Sequence, residues 1–322
     1  MRLASLAGAG RDGMLVVVSD DGERWLAGTG VAPTLQAALD DWTRCEPGLR
    51  ALAQRLAGGA GEPLSPATAL LAPLPRAWQW LDGSAFPTHG ALMHRAFGHA
   101  PIETDRPLMY QGLSHRFLAG WEDVPLPSEA DGIDFEGEFG VITGDVPMGC
   151  PAADALSHIR LIVLINDWSL RAIAPAEMKT GFGWIQAKPA CSMAPFAVTP
   201  DALGDAWCDG RVCLPLNVFV NGTWFGSPGG EAMAVGFHDL IAHAARTRDL
   251  PAGTIIGSGT VSNPDHATVG STCLSERRAI EMIAGGAPLT PFLSFGDRVA
   301  MQAGGGSPFG TIDQRVVASP RR

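Results

Sequence analysis

Residues 132–146, reading GIDFEGEFGVITGDV, constrain this chain more than any other stretch. Side chains of an extended strand alternate between its faces, so here Asp134, Glu136 and Glu138 share one face. Phe135, Phe139 and Val141 add apolar weight around them, and Gly137 leaves room for a close neighbour. Three carboxylates in a row repel one another and resist desolvation unless a cation sits among them. Two readings follow. Either this face is solvated, as charged faces mostly are, or it is buried around a metal ion.

A second carboxylate bears on that choice. Residues 161–165, LIVLI, form a continuous apolar run of the kind that marks a strand buried on both faces. Asp167 follows directly, beside Trp168. A carboxylate at the end of a buried strand needs a partner or a metal, unless it caps a helix beginning at Trp168. Carboxylates from two strands make a hard oxygen cage, which suits Mg²⁺, Mn²⁺ or Ca²⁺. The six cysteines lie far apart without paired metal-binding spacing, which disfavours a soft zinc site and fits reduced, mostly buried thiols in a cytoplasmic protein.

The formal net charge of −10, from 23 Lys and Arg against 33 Asp and Glu, argues against a nucleic-acid or anionic-membrane partner. The start of the chain lacks the apolar run of a signal peptide, and no later stretch approaches the ~18 apolar residues of a membrane span. A hydrophobic fraction of 46% with 17% charged residues excludes a disordered chain.

Two units are expected. In residues 1–75, MLVVV at 14–18 reads as a strand. Thr34 is placed to cap a helix that buries Leu35, Ala38, Leu39 and Trp42. Pro47 suits the first turn of a second helix, burying Leu49, Leu52, Ala53 and Leu56, which Gly58 and Gly59 end. Residues 62–76 read as a linker. The second unit, residues 76–322, is mainly strand-like. Asn221-Gly222 predicts a type I′ hairpin between residues 216–220 and 223–225. Residues 237–247 read as a helix, and 254–256 and 292–301 as late strands.

The ordered motifs DFEGE, NDWSLR, Lys188 and GSGTVSN together resemble the fumarylacetoacetate hydrolase family over roughly residues 76–322. The small first unit is similar to the extra N-terminal domain of bacterial members. The resemblance implies an α+β, mainly β fold, with a mixed-sheet roll or barrel carrying catalysis behind a small N-terminal α/β domain. It also implies a metal held by Asp82, Glu136, Glu138 and Asp167. Asp82 sits in LDGSAFPTHG, where Asp-Gly alone reads as an ordinary turn. The family places a catalytic His seven residues after that Asp, and His89 stands there. A neutral imidazole beside a bound substrate can take a proton from water. His94, His99 and His115 lack such a placement and read as structural.

By the same resemblance, Tyr110 contacts a substrate oxygen, Lys188 helps hold metal and substrate, and Gly259 and Thr260 close over the substrate. Lys188 also offsets the charge of the four carboxylates. The implied reaction is metal-dependent hydrolysis of a carbon–carbon bond in a β-diketo acid. Fumarylacetoacetate would give fumarate and acetoacetate, a step of tyrosine breakdown, and the implied assembly is a homodimer. Decarboxylation or keto–enol isomerisation of a small oxo-dicarboxylate such as oxaloacetate, or metal and acid binding without catalysis, stand as alternatives. Two departures matter. Ala174 replaces a family glutamine able to stabilise an oxyanion. A glutamate that supports the base in the animal hydrolases has no direct counterpart, because Leu274 falls at its spacing and Glu276 is only nearby.

Overall fold

The computed structural model describes residues 1–8, 10–65, 68–97 and 104–320, so His99 lies outside the described residues. Its organising element is the antiparallel pair Gly137–Thr143 and Ile159–Asn166, in which Glu138 faces Ile165 and Gly137 faces Asn166. The continuous apolar run is needed because each side of this pair covers a different core. Phe139, Val141, Ile162 and Leu164 enter one core, while Ile142, Leu161, Val163 and Ile165 enter the other. The fold is accordingly mixed α and β with several sheets, as expected.

The pair lies inside a long sheet whose neighbours are Thr254–Gly257 on one side and Ala197–Val198 on the other. Arg2–Leu6 continues that sheet by pairing Arg2 with Val198 and Leu3 with Ala197. Met14–Val18 and Arg24–Ala27 extend it further, and Glu62–Pro63, inside the expected linker, adds a short edge strand. Leu3, Leu15, Val17, Leu35 and Leu49 share a core with Leu161 and Val163. The first unit is therefore fused to the second through both the sheet and a common core.

Local detail follows the sequence closely with two exceptions. Thr34 Oγ1 accepts a hydrogen bond from the Ala37 amide at 3.1 Å and caps the helix Leu35–Asp40. The next helix, Trp42–Ala57, starts earlier than expected and carries Pro47 inside it. Burial of Trp42 and Cys45 favours the added turn despite the hydrogen bond that proline removes. Asn221 and Gly222 adopt φ of 51° and 77°, the type I′ geometry that joins Leu216–Val220 to Thr223–Gly226. The late strand begins at Arg298 rather than 292. The Asp297 carboxylate accepts from the Ser294 amide at 2.7 Å and closes a turn there.

Register then brings distant residues together. Gln79–Gly83 runs parallel to Thr254–Gly257 with Asp82 opposite Gly257, and antiparallel to Met109–Gln111 with Asp82 opposite Tyr110. A Cβ on Gly257 would collide with both Trp80 and Asp82, so only glycine lets these strands meet at the aspartate. Among the described residues no helix is long and apolar enough to cross a membrane.

The shared sheet and core make residues 1–76 part of one cooperative structure. Calorimetry should show a single unfolding transition for the whole chain, and removal of residues 1–76 should leave insoluble protein. Two independent transitions, one vanishing with that deletion, would contradict this coupling.

Candidate active site

The strand expected to carry three equivalent acids is interrupted. Ile133–Asp134 and Gly137–Thr143 are separate strands, with Phe135 and Glu136 between them. Asp134, Glu136 and Glu138 are all buried, which overturns the solvated reading. Their surroundings differ, although Asp134 and Glu136 share Arg171.

Glu138 joins Asp82 and Asp167. One carboxylate oxygen from each lies within 4.8 Å of the others, and all three residues are buried. Oxygens on opposite sides of a divalent cation stand about 4 to 5 Å apart for ligand distances of 2.0–2.6 Å. Neither oxygen of Glu138 has a hydrogen-bond partner among the described residues. Burial, followed by repulsion from Asp82 and Asp167, pushes the Glu138 carboxyl well above its ordinary range. Burial and repulsion from Asp167 do the same to Asp82. A buried carboxylate without partners is costly, and hard oxygens without soft donors suit Mg²⁺, Mn²⁺ or Ca²⁺. These three residues fit such an ion.

Glu136 does not gather with them, against the expectation of a four-carboxylate set. Its oxygens are taken by Arg171 Nη2 at 2.7 Å, Thr260 Oγ1 at 2.7 Å, Ser169 Oγ at 3.2 Å, and the Lys188 ammonium. Burial raises its pKa, but Arg171 and Lys188 outweigh that and hold it well below the usual range. Lys188 also donates to Asp167 Oδ2 at 2.6 Å, so it bridges the two acids. Asp167 is not a helix cap, because Ser169–Leu170 continues as a strand paired with Ile133–Asp134.

Asp134 faces the other way. It accepts from the Leu274 and Ser275 amides at 2.7 and 3.0 Å, at the start of the helix Leu274–Gly285, and from Arg171 Nε at 2.8 Å. The carboxylate thus fixes the N-terminus of that helix, where a negative charge is favoured. Leu274 turns into the core, which leaves Glu276, two residues on, to face the site. Glu276 Oε2 lies 3.1 Å from His89 Nδ1, so the expected absence of a supporting glutamate is corrected. His89 sits in the first turn of Pro87–Phe97.

The remaining expected residues all reach this place, but their donors are engaged on acids. Tyr110 Oη donates to Asp167 Oδ2 at 2.7 Å, the Gly259 amide to Asp82 Oδ1 at 3.2 Å, and the Thr260 hydroxyl to Glu136. Gly259 has φ of 76°, which lets the loop turn its amide to Asp82. His94 shares the helix of His89 and is half-buried, while His115 is exposed. Cys191, read only as a buried thiol, donates from Sγ to Asp167 Oδ1 at 3.0 Å. Its place three residues after Lys188 was the available signal, as was the basic charge of Arg171 four residues after Asp167.

Two outcomes follow from this charge arrangement. Asp134→Ala leaves Arg171 Nε and two helix amides without their acceptor, with Glu136 as the remaining partner of the guanidinium, and should cost about 3–5 kcal/mol in denaturant unfolding. A loss below ~1 kcal/mol would show that Asp134 is not the helix anchor. In metal-stripped protein the raised folded-state pKa values of Asp82 and Glu138 mean stability that is complete below the unfolded value of about 4 and lost as pH rises through the folded ones. Added Mn²⁺ should therefore raise the melting temperature more at pH 8 than at pH 5, and the reverse order would contradict the assignment.

Comparison with known proteins identifies the family. The fumarylacetoacetate (FAA) hydrolase C-terminal family matches residues 79–317, and the fumarylacetoacetase N-terminal domain 2 family matches residues 1–76. The chain is 28% identical over 170 residues to 2,4-didehydro-3-deoxy-L-rhamnonate hydrolase of Sphingomonas sp. (strain SKA58), covering 52% of this chain and 56% of that protein. It is 26% identical over 157 residues to mitochondrial oxaloacetate tautomerase Fahd2a of Rattus norvegicus, covering 48% of each. The chain thus spans about half the length of the curated relatives it matches. In three dimensions it is similar to maleylpyruvate hydrolase of Sphingobium sp. SYK-6 in complex with manganese (II) ion and pyruvate, with TM-score 0.67, 18% identity, and coverage of 99% of this chain and 100% of that one. Fumarylacetoacetate hydrolase of psychrophilic Exiguobacterium antarcticum gives TM-score 0.69 at 17% identity, covering 99% of both chains. These likenesses concern the fold. With family matches spanning nearly all of its length, the chain belongs to the fumarylacetoacetate hydrolase family and carries the family's additional N-terminal domain.

Proposed function

We propose that this chain is a metal-dependent hydrolase that cleaves a carbon–carbon bond in a β-diketo acid, with fumarylacetoacetate as substrate. The reading extends to Mg²⁺, Mn²⁺ or Ca²⁺ as cofactor, to a cytoplasmic homodimer, and to a step of tyrosine breakdown. The observation that carries it is the His89–Glu276 pair beside the carboxylate cluster. Binding a metal and an acid does not require a paired histidine, whereas adding water to a carbonyl requires a base.

A dication held by Asp82, Glu138 and Asp167 supplies Lewis-acid polarisation of the substrate's oxo groups. Everything else comes from the chain. Glu276 accepts from Nδ1 of His89, which fixes the tautomer and leaves Nε2 to take a proton from water. The resulting hydroxide adds to the carbonyl carbon. Lys188 spends two of its three donors on Glu136 and Asp167, and the third is available to the new oxyanion. The bond to the neighbouring carbon then breaks, and the imidazolium of His89 returns its proton to the departing carbanion. Lys188 stays charged throughout, because Asp167 and Glu136 raise its pKa against the effect of burial.

The test follows diketone absorbance of fumarylacetoacetate with Mg²⁺ or Mn²⁺ and then with chelator. Metal-dependent loss yielding fumarate is expected, and His89→Ala should reduce it about 10²- to 10⁴-fold. Glu276→Gln should lower kcat with little change in KM, since the base loses its anchor but the binding groups remain. Full cleavage by His89→Ala would overturn the base assignment. Consumption of oxaloacetate alone would move the chain to the decarboxylases and tautomerases. Chromatography with light scattering checks the dimer.

A further inference from the structure

Between the short helix Ala174–Met178 and Lys188 the chain makes a loop that one side chain holds shut. The Glu177 carboxylate accepts from the amides of Ile185 at 3.1 Å, Gln186 at 2.9 Å and Ala187 at 3.0 Å. Thr180 Oγ1 donates back to the Glu177 carbonyl at 2.7 Å. The loop leaves Phe182 96% and Ile185 84% exposed, yet it treats Trp184 differently. The Trp184 ring lies edge-on to Tyr110, with centroids 4.7 Å apart and planes at 78°. The Lys188 ammonium stands 5.6 Å from the Trp184 ring and 5.5 Å from that of Tyr110. Trp184 is therefore in contact with two residues that both bind Asp167.

Its indole Nε1 is buried and has no hydrogen-bond partner among the described residues. An indole N–H donates only, so the group that satisfies it must be an acceptor. An enclosed donor of this kind is costly to leave unpaired. The Lys188 charge beside it favours an anion.

We infer that Trp184 is a specificity-determining residue whose indole N–H receives a carboxylate oxygen of the oxo-acid, and that Glu177 is the positioning residue that sets it. The inference rests on the oxo-acid reading of the site. It makes the Glu177-closed loop part of substrate recognition, and it selects acids over their neutral esters or amides, because a carboxylate is the stronger acceptor.

Trp184→Phe keeps an aromatic ring against Tyr110 and deletes the donor, at the cost of a smaller ring. The probe is pyruvate binding to Mn²⁺-loaded protein, measured by calorimetry without turnover. Trp184→Phe should weaken pyruvate about 10-fold or more, as expected for loss of a hydrogen bond to a charged group. Mn²⁺ affinity and melting temperature should stay at wild-type values. Glu177→Gln should weaken pyruvate in the same direction. The double variant should bind no worse than Trp184→Phe alone, since both changes act through one donor. A merely structural Glu177 would add its own loss.

Wild-type affinity in Trp184→Phe would overturn the assignment, as would a matching fall in Mn²⁺ affinity. If loaded wild-type protein takes up neither pyruvate, oxaloacetate nor fumarylacetoacetate, the oxo-acid reading fails first, and the role of Trp184 fails with it.

Discussion

The structure depends on how five buried carboxylates are kept from repelling one another. Arg171 and the start of the helix Leu274–Gly285 balance Asp134 and part of Glu136. Lys188 spans Glu136 and Asp167. Asp82 and Glu138 remain, and these are the two acids whose carboxyls are pushed upward, Asp82 by burial and repulsion from Asp167, Glu138 by burial and repulsion from Asp82 and Asp167. The protein's own cations thus compensate the acids on one side of the cluster and leave the other side to a dication. Without Lys188 or Arg171 more negative charge would face a single ion, in a setting where uncompensated charge is expensive.

That electrostatic division explains why the sheet is built as it is. The acids come from strands that are distant in sequence but lie in one sheet: Gly137–Thr143 runs beside Ile159–Asn166, and Gln79–Gly83 lies one strand further on, beyond Thr254–Gly257. A strand pair buried on both faces is stiff, because each residue packs into one of two cores. The residues least able to move therefore hold the acids, while His89 comes from a separate helix. Asp134 joins these parts. It lies four residues before Glu138 and holds the helix that presents Glu276 to His89. Arg171 completes the link by touching both Asp134 and Glu136.

Most of this was legible in the sequence where the signal was local. The LIVLI strand, the Thr34 cap and the Asn221-Gly222 hairpin each rest on a few neighbouring residues, and each formed as read. Glu138 and Asp167 could be singled out because both acids stand beside apolar runs, and the structure brings them together with Asp82. Local reasoning failed where partners are far apart. Alternation put Asp134, Glu136 and Glu138 on one face, but the break after Asp134 sends Asp134 to the helix Leu274–Gly285, Glu136 to Lys188 and Glu138 to Asp82 and Asp167, with Arg171 shared by the first two. Glu276 lies 187 residues from His89, and spacing alone pointed to Leu274. Which of two nearby residues faces the site is decided by where the helix begins, and Asp134 sets that.

The position of Glu136 shows how motif and geometry differ in what they specify. The Glu-x-Glu pattern offers two carboxylates as though they were equivalent, yet the structure gives them opposite electrostatic settings. Glu136 is held ionised by Arg171 and Lys188, whereas Glu138 meets only other acids nearby and Lys188 as an attenuating charge. A cation entering the cluster gains most at Glu138 and Asp82, whose charge Lys188 attenuates without a direct contact. At Glu136 it would compete with an ammonium, a guanidinium and a hydroxyl already in place. Glu136 is therefore better suited to orient Lys188 than to bind the ion. A lysine oriented in this way can keep its charge inside the protein and direct a remaining donor at a substrate oxygen.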